Sequence, residues 1–182
     1  MGITKACMEK IALSAAKRQN ITSICVTRFC NLIASNGSVV PLFIDQTLAG
    51  KPITITDPSM TRFMISIKEA IDLVEYAFLY GENGDILIRP GKICKLDDLS
   101  QAIHNLYGKS KGRHIKVIGA RPGERVEEAL FTSEEWSRAK MEKDFIRIPL
   151  FLERKNNQNF CPVIASISDI EEMIIENFNK II

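Results

Sequence analysis

From Ile21 to Arg28 the chain reads Ile-Thr-Ser-Ile-Cys-Val-Thr-Arg, a β-rich apolar run of the kind that forms a strand buried on both faces of a parallel sheet. A parallel strand needs covering helices, and the flanks supply them. Residues 2–18 place Ile3, Cys7, Ile11 and Ala15 at helical spacing between Lys, Glu and Arg. After a loop over Asn31–Gly37, Ser38 is a good N-cap for a helix through about Leu48, with Pro41 tolerated in its first turn and Gly50 ending it.

The alternation continues. Pro52–Thr56 reads as a short strand, Asp57-Pro58-Ser59 as a turn and Phe63–Ile65 as an extended piece. Ser66-Ile67-Lys68-Glu69 is a capping box opening a helix to about Tyr80. Asp85–Arg89 and His114–Ile118 read as strands, separated by a helix capped at Asp97 or Asp98 that runs to about Tyr107. Ser133–Lys143 reads as helical and Phe145–Leu150 as extended. Glu153–Cys161, polar and Asn-rich, reads as a surface loop or linker, and Ser168-Asp169-Ile170-Glu171 as a box opening a terminal helix. Strands alternating with helices argue an α/β fold.

Composition narrows the function classes. The net charge is +2 over 182 residues, too near neutral for non-specific attraction to nucleic acid or membrane. Five scattered cysteines form no CxxC pair, so neither a zinc ribbon nor a disulfide framework is indicated, and a reducing, cytoplasmic setting fits. No apolar run approaches the roughly 18 residues of a membrane helix. His104 and His114 have no ligand-spaced neighbours, so no metal is expected. The basic stretch Lys109, Lys111, Arg113, His114, Lys116 has only Tyr107 to stack a base and reads as a solvated loop. Glu127-Glu128 and Glu134-Glu135 read as acids at helix starts.

Three segments carry chemistry. Arg28-Phe29-Cys30-Asn31 leads through Gly37-Ser38-Val39-Val40-Pro41-Leu42-Phe43; a strand end followed by a Ser/Asn/Gly loop and a helix N-terminus suits an anion, although the bare pattern is also an ordinary cap. Pro52–Met64 contains Arg62, whose rigid fork of donors suits phosphate oxygens. Ile118-Gly119-Ala120-Arg121-Pro122-Gly123-Glu124 is, taken alone, a charged turn.

Together these segments resemble the polysaccharide-biosynthesis branch of the extended short-chain dehydrogenases/reductases, whose members act as 4,6-dehydratases and epimerases on UDP-N-acetylglucosamine and related UDP-sugars. The resemblance covers residues 1 to about 150. It implies the C-terminal part of such an enzyme: an incomplete Rossmann sheet over residues 1–50, a small α/β sugar-nucleotide-binding domain over 51–151, and a linker with a C-terminal helix over 152–182. It implies Lys5 as the catalytic lysine that holds the nicotinamide ribose, with Met1 where a tyrosine is usual and Phe29 beside the cofactor. Asn31, Ser38, Val39, Arg62, Arg121 and Glu124 would bind the UDP-sugar. Phe29, Cys30 and Asn36 depart from the family pattern, and Arg125 stands where Lys is usual.

In the family NAD or NADP oxidises the sugar at C4, water leaves across C5–C6, and hydride returns to C6. The glycine-rich turn for that cofactor, G-x-G-x-x-G, does not occur in this sequence. The expectation is therefore an enzyme of UDP-sugars lacking the N-terminal dinucleotide-binding half, or else an inactive remnant or split-enzyme subunit that only binds the UDP-sugar, with the missing half or a homo-oligomer as candidate partners.

Overall fold

The structure is a computed structural model, and it describes residues 2–19, 21–33, 35–109, 112–150 and 159–178. The chain divides into two compact units, one of Met1–Phe29, Lys68–Pro90 and Ala129–Cys161, the other of Cys30–Ile67, Gly91–Glu128 and Pro162–Ile182. Each gathers three separate stretches of chain.

The first unit is built on a four-stranded sheet. Strand β1 (Val26–Arg28) runs parallel to β5 (Ile86–Ile88), which pairs antiparallel with β9 (Phe145–Ile148), and β9 pairs antiparallel with β8 (Lys140–Glu142). Helix α1 (Gly2–Arg18) meets β1, and α3 (Ile67–Tyr80) sets Leu73 and Ala77 against Leu87, with Cys25, Tyr76 and Phe145 packed around them. The sheet is thus mixed rather than purely parallel.

Two expectations fail here for local reasons. The strand expected over Ile21–Arg28 pairs only from Val26. The Gln19 side chain takes the N–H groups of Ile21 and Thr22 at 2.9 Å each and donates to the Thr22 carbonyl at 2.6 Å, occupying groups a ladder would use. The helix expected over Ser133–Lys143 is α5 (Ser133–Arg138), after which Ala139 turns extended and the chain enters a β8–β9 hairpin through Lys143 at φ 56°. The start of α5 is a capping box: Thr132 Oγ1 accepts from Glu135 N at 3.1 Å, and Glu135 Oε2 accepts from Thr132 N at 2.8 Å.

The second unit holds a three-stranded sheet, with β4 (Thr61–Ile65) between parallel β2 (Asn31–Leu32) and antiparallel β6 (Lys92–Lys95), and a parallel pair β3 (Ile53–Ile55) and β7 (Ile115–Val117). Helix α4 (Leu96–Tyr107) packs on α2 (Val39–Leu48) and α6 (Ile167–Phe178). Phe43, Ile55, Met60, Met64, Leu99, Ile103 and Ile174 are at most 2% exposed in the resulting core. Strand β2 falls inside the expected loop.

Helix starts differ in two places. Lys95, not Asp97 or Asp98, holds the N-cap position of α4; the N–H of Leu96 donates to Met60 O at 2.9 Å, so the helix begins without a side-chain cap, and the two aspartates complement the dipole in the first turn. At α6 the reciprocal box is Ser166 with Asp169, at 2.8 and 3.2 Å, two residues before the expected one. The part of the expected loop Glu153–Cys161 up to Gln158 lies outside the described residues.

Gly91 opens β6 where a Cβ would stand 2.3 Å from the carbonyl oxygen of Met64 and 2.8 Å from Ile65 Cγ2. A backbone oxygen cannot step aside as a side-chain tip can. Gly91→Ala is expected to lower unfolding free energy by about 1–3 kcal/mol in urea titration, as overpacking does.

Candidate functional site

The second unit gathers four of the residues that the sequence pointed to. The Asp57-Pro58-Ser59 turn is tied by Asp57 Oδ1, which accepts from Ser59 N at 2.8 Å and Ser59 Oγ at 2.7 Å. It delivers the chain into β4, where Phe63, Met64 and Ile65 are buried and Arg62 keeps 15% of its side chain exposed. The Thr61 N–H donates to Val126 O at 3.2 Å, so the segment after β7 lies along the start of β4.

Arg62 reaches into that segment. Its Nη1 donates to Thr61 O at 2.8 Å and Val126 O at 3.2 Å, and its Nη2 to Arg125 O at 3.0 Å. Glu128 lies 3.4 Å from Nε and Glu124 3.9 Å from Nη2. Glu124 closes the turn Arg121-Pro122-Gly123-Glu124: its N–H donates to Arg121 O at 2.9 Å, and its Oε2 accepts from Arg121 N at 3.1 Å. Gly123 sits at φ 82°, the left-handed conformation that such a Pro-Gly turn requires. Asn31, on β2 opposite Met64, donates from Nδ2 to Phe63 O at 3.2 Å and to Glu128 Oε2 at 2.8 Å. Asn31, Arg62 and Glu124 thus share one cluster of hydrogen bonds and ion pairs, with Glu128 between Asn31 and Arg62, and Arg121 joins it through its backbone.

Glu128, which joins Asn31 to Arg62, was expected at a helix start. No helix begins there; the carboxylate faces the cluster instead. An acid near a basic turn is the only hint the sequence offered.

Ser38 and Val39 belong to the same unit, at the start of α2. Ser38 holds the N-cap position, but its side chain makes no cap bond, and its Oγ is buried without a hydrogen-bond partner. Pro41 has no N–H, so the donors of this first turn are those of Val39 and Val40. A free hydroxyl beside these N–H groups can serve an anionic ligand.

Lys5 and Phe29 belong to the first unit. Lys5 is exposed on α1 and Phe29 is 45% exposed. Met1 lies outside the described residues. Cys30 is buried. Arg28, part of the same motif, is committed internally: it holds Glu9 at 2.7 Å, Glu135 at 2.9 Å and Leu130 O at 2.7 Å.

Burial works to raise the pKa of Glu135, but hydrogen bonds from Arg28 and the Thr132 N–H, and the charge of Arg28, outweigh it and hold this carboxyl below its usual range. Its stabilising contribution is therefore complete above the ordinary glutamate pKa of about 4.3 and drains away as pH falls through the depressed folded value. Urea midpoints are expected to be flat from about pH 7 to 5 and to fall below about pH 4, with the deficit of Glu135→Gln shrinking at the acid end.

His104 and His114 line one cleft of about 280 Å³ with Lys51 and Lys109. Among the described residues no group of three or more His, Cys, Asp or Glu is placed to hold a metal ion, and no helix is long and apolar enough to cross a membrane.

Residues 1–150 match the family described as polysaccharide biosynthesis protein. The chain is 43% identical over 152 residues to a UDP-glucose 4-epimerase of Rickettsia rickettsii (strain Sheila Smith), covering 82% of this chain and 44% of that protein. Pen from Bacillus thuringiensis has a similar structure, with a TM-score of 0.83 at 32% identity over 97% of this chain and 57% of that one. A UDP-glucuronic acid 4-epimerase from Bacillus cereus, solved with UDP-glucuronic acid and NAD, shares the fold at 19% identity, with a TM-score of 0.68 over 100% of this chain and 52% of that one. The chain spans about half the length of these proteins. With an α/β fold matching the C-terminal portion of extended short-chain dehydrogenases/reductases, it belongs to the polysaccharide-biosynthesis protein family.

Proposed function

We propose that the chain binds a UDP-sugar, UDP-N-acetylglucosamine or a close relative, for 4,6-dehydration or epimerisation in bacterial surface polysaccharide synthesis. One observation carries this reading: Asn31, Arg62, Arg121 and Glu124, drawn from three separate motifs, are linked in one cluster. The long Glu124–Arg62 contact of 3.9 Å is the one a ligand displaces most cheaply; a diphosphate oxygen can then take its place beside Nη2, in exchange for the weak Met60 Sδ contact, while Nη2 keeps Arg125 O and Glu124 turns to the ribose hydroxyls. Ser38 Oγ and the first N–H groups of α2 supply further donors.

NAD or NADP, which the family uses, would meet Lys5 at the nicotinamide ribose and Phe29 beside it. The left-handed glycines Gly37, Gly50, Gly84, Gly119 and Gly123 form no G-x-G-x-x-G turn between strand and helix, so these residues do not fit a whole dinucleotide.

Isothermal titration of the chain with UDP-N-acetylglucosamine and UDP-glucose tests the reading. Saturable heat, competed by UDP, is expected; no heat from either sugar nucleotide and none from UDP would sink it. A second reading, binding without chemistry, is favoured by Met1, which stands four residues before Lys5 in place of a tyrosine and has a thioether that cannot shuttle a proton. Incubation with UDP-N-acetylglucosamine and NAD, followed by NMR of the sugar, separates the two: a 4-keto or epimerised product excludes the second reading.

A further inference from the structure

We propose that Glu128 is a positioning residue of this site, holding Arg62 and Asn31 in the arrangement that a diphosphate meets; this rests on the UDP-sugar reading above. The carboxylate has two tasks. Its Oε2 accepts from Asn31 Nδ2 at 2.8 Å, and its Oε1 stands 3.4 Å from Arg62 Nε. Both neighbours of the Asn31 amide nitrogen, Glu128 and Phe63 O, are acceptors, so the two amide protons are spent and the orientation of the amide is fixed.

Arg62 is held on every edge of its guanidinium. The carbonyls of Thr61, Val126 and Arg125 take the two Nη groups, and Glu128 takes Nε. Glu124 also faces Arg62, 3.9 Å from Nη2, but of the two carboxylates it is Glu128 that also bonds Asn31. It sits where strands β2 and β4 run side by side, and it converts two independent side chains into one unit. A long flexible arginine so fixed loses less freedom on meeting its ligand, and pre-organisation of that kind raises affinity.

Glu128→Gln separates the tasks: an amide oxygen still accepts from Asn31, but the charge beside Arg62 Nε is gone and only that of Glu124, 3.9 Å from Nη2, remains. In the ligand-free chain, 15N NMR of the arginine Nε–H groups is expected to show the Arg62 resonance shifted and exchanging with water at least about tenfold faster in the variant. An unchanged resonance overturns the proposal. With UDP as the probe, Glu128→Gln and Glu128→Ala are expected to weaken binding about tenfold or more, about 1.4 kcal/mol, while the affinity for uridine changes little. In Arg62→Met the further change Glu128→Ala is expected to cost less than it does in the unaltered chain, the remainder being what Glu128 contributes through Asn31.

Unchanged or tighter UDP binding by both variants overturns the proposal, since Glu128 would then be neutral or a competitor of the diphosphate. Thermal melts of each variant identify loss by unfolding, in which case Glu128→Asp replaces it. If the unaltered chain binds no UDP, the functional reading fails and the ligand-free NMR arm alone decides whether Glu128 positions Arg62.

Discussion

Arg62→Met is expected to leave the chain folded and to weaken its affinity for UDP by at least about 100-fold in isothermal titration, two decades being worth about 2.7 kcal/mol. The size follows from the bond type. Hydrogen bonds to charged groups contribute about 1.5–3 kcal/mol each, and a guanidinium presents a planar fork able to make two of them to a diphosphate. The fold loses less. The ion pairs of Arg62 with Glu124 and Glu128 are long, and those carboxylates are 29% and 37% exposed, so their worth lies near the about 0–1 kcal/mol of surface pairs. Arg62→Lys discriminates charge from shape: a lysine keeps the positive charge and loses the fork, so an intermediate loss is expected. Full affinity in Arg62→Met would remove Arg62 from the site.

How much of this was legible beforehand depends on the range of the interactions. Helices α1, α2 and α3 begin and end close to where periodicity, Ser38, Gly50 and Ser66 placed them, because those signals are local. The cluster of Arg62, Arg121 and Glu124 was legible because recognisable motifs carry those residues. Glu128 was not: its hydrogen-bond partner Asn31 is 97 residues away, and no local pattern marks a carboxylate for so distant a task. Strand β6 was missed because Lys-Ile-Cys-Lys is short and charged at both ends, and only its pairing with β4 makes it extended. The hairpin at β8 was hidden by a charged sequence that continues a helical pattern past Arg138. Ser38 was expected to cap α2 with its side chain; the backbone position is right, yet the hydroxyl is left unpartnered.

The largest loss of stability is expected at Arg147, in the first unit. Its side chain is 11% exposed and joins three elements: Nη1 meets Asp85, Nε donates to Glu142 Oε1 at 2.9 Å, and Nη2 donates to Tyr80 O at 2.8 Å. The Tyr76 hydroxyl bonds Glu142 in turn, and Asp85 Oδ2 accepts from the Glu82 N–H at 2.9 Å. Asp85 is 2% exposed. Arg147→Met keeps much of the packing volume but leaves that carboxylate without its cation, which is expected to cost about 3–5 kcal/mol at pH 7. Burial already pushes the Asp85 carboxyl above its ordinary value, against the pull of the Glu82 N–H and Arg147. A folded-state pKa above the unfolded one means that the native state holds a proton more readily. Its penalty is therefore full above the folded value and relieved as pH falls through it. Without Arg147 the folded value rises further, so the deficit in urea unfolding is expected to be smaller at pH 5 than at pH 7. Asp85→Asn in the Arg147→Met background is expected to recover part of the loss, because the amide needs no counter-charge. Equal losses at both pH values, together with no recovery in the double variant, would show that Arg147 stabilises by packing alone and not as the partner of a buried carboxylate.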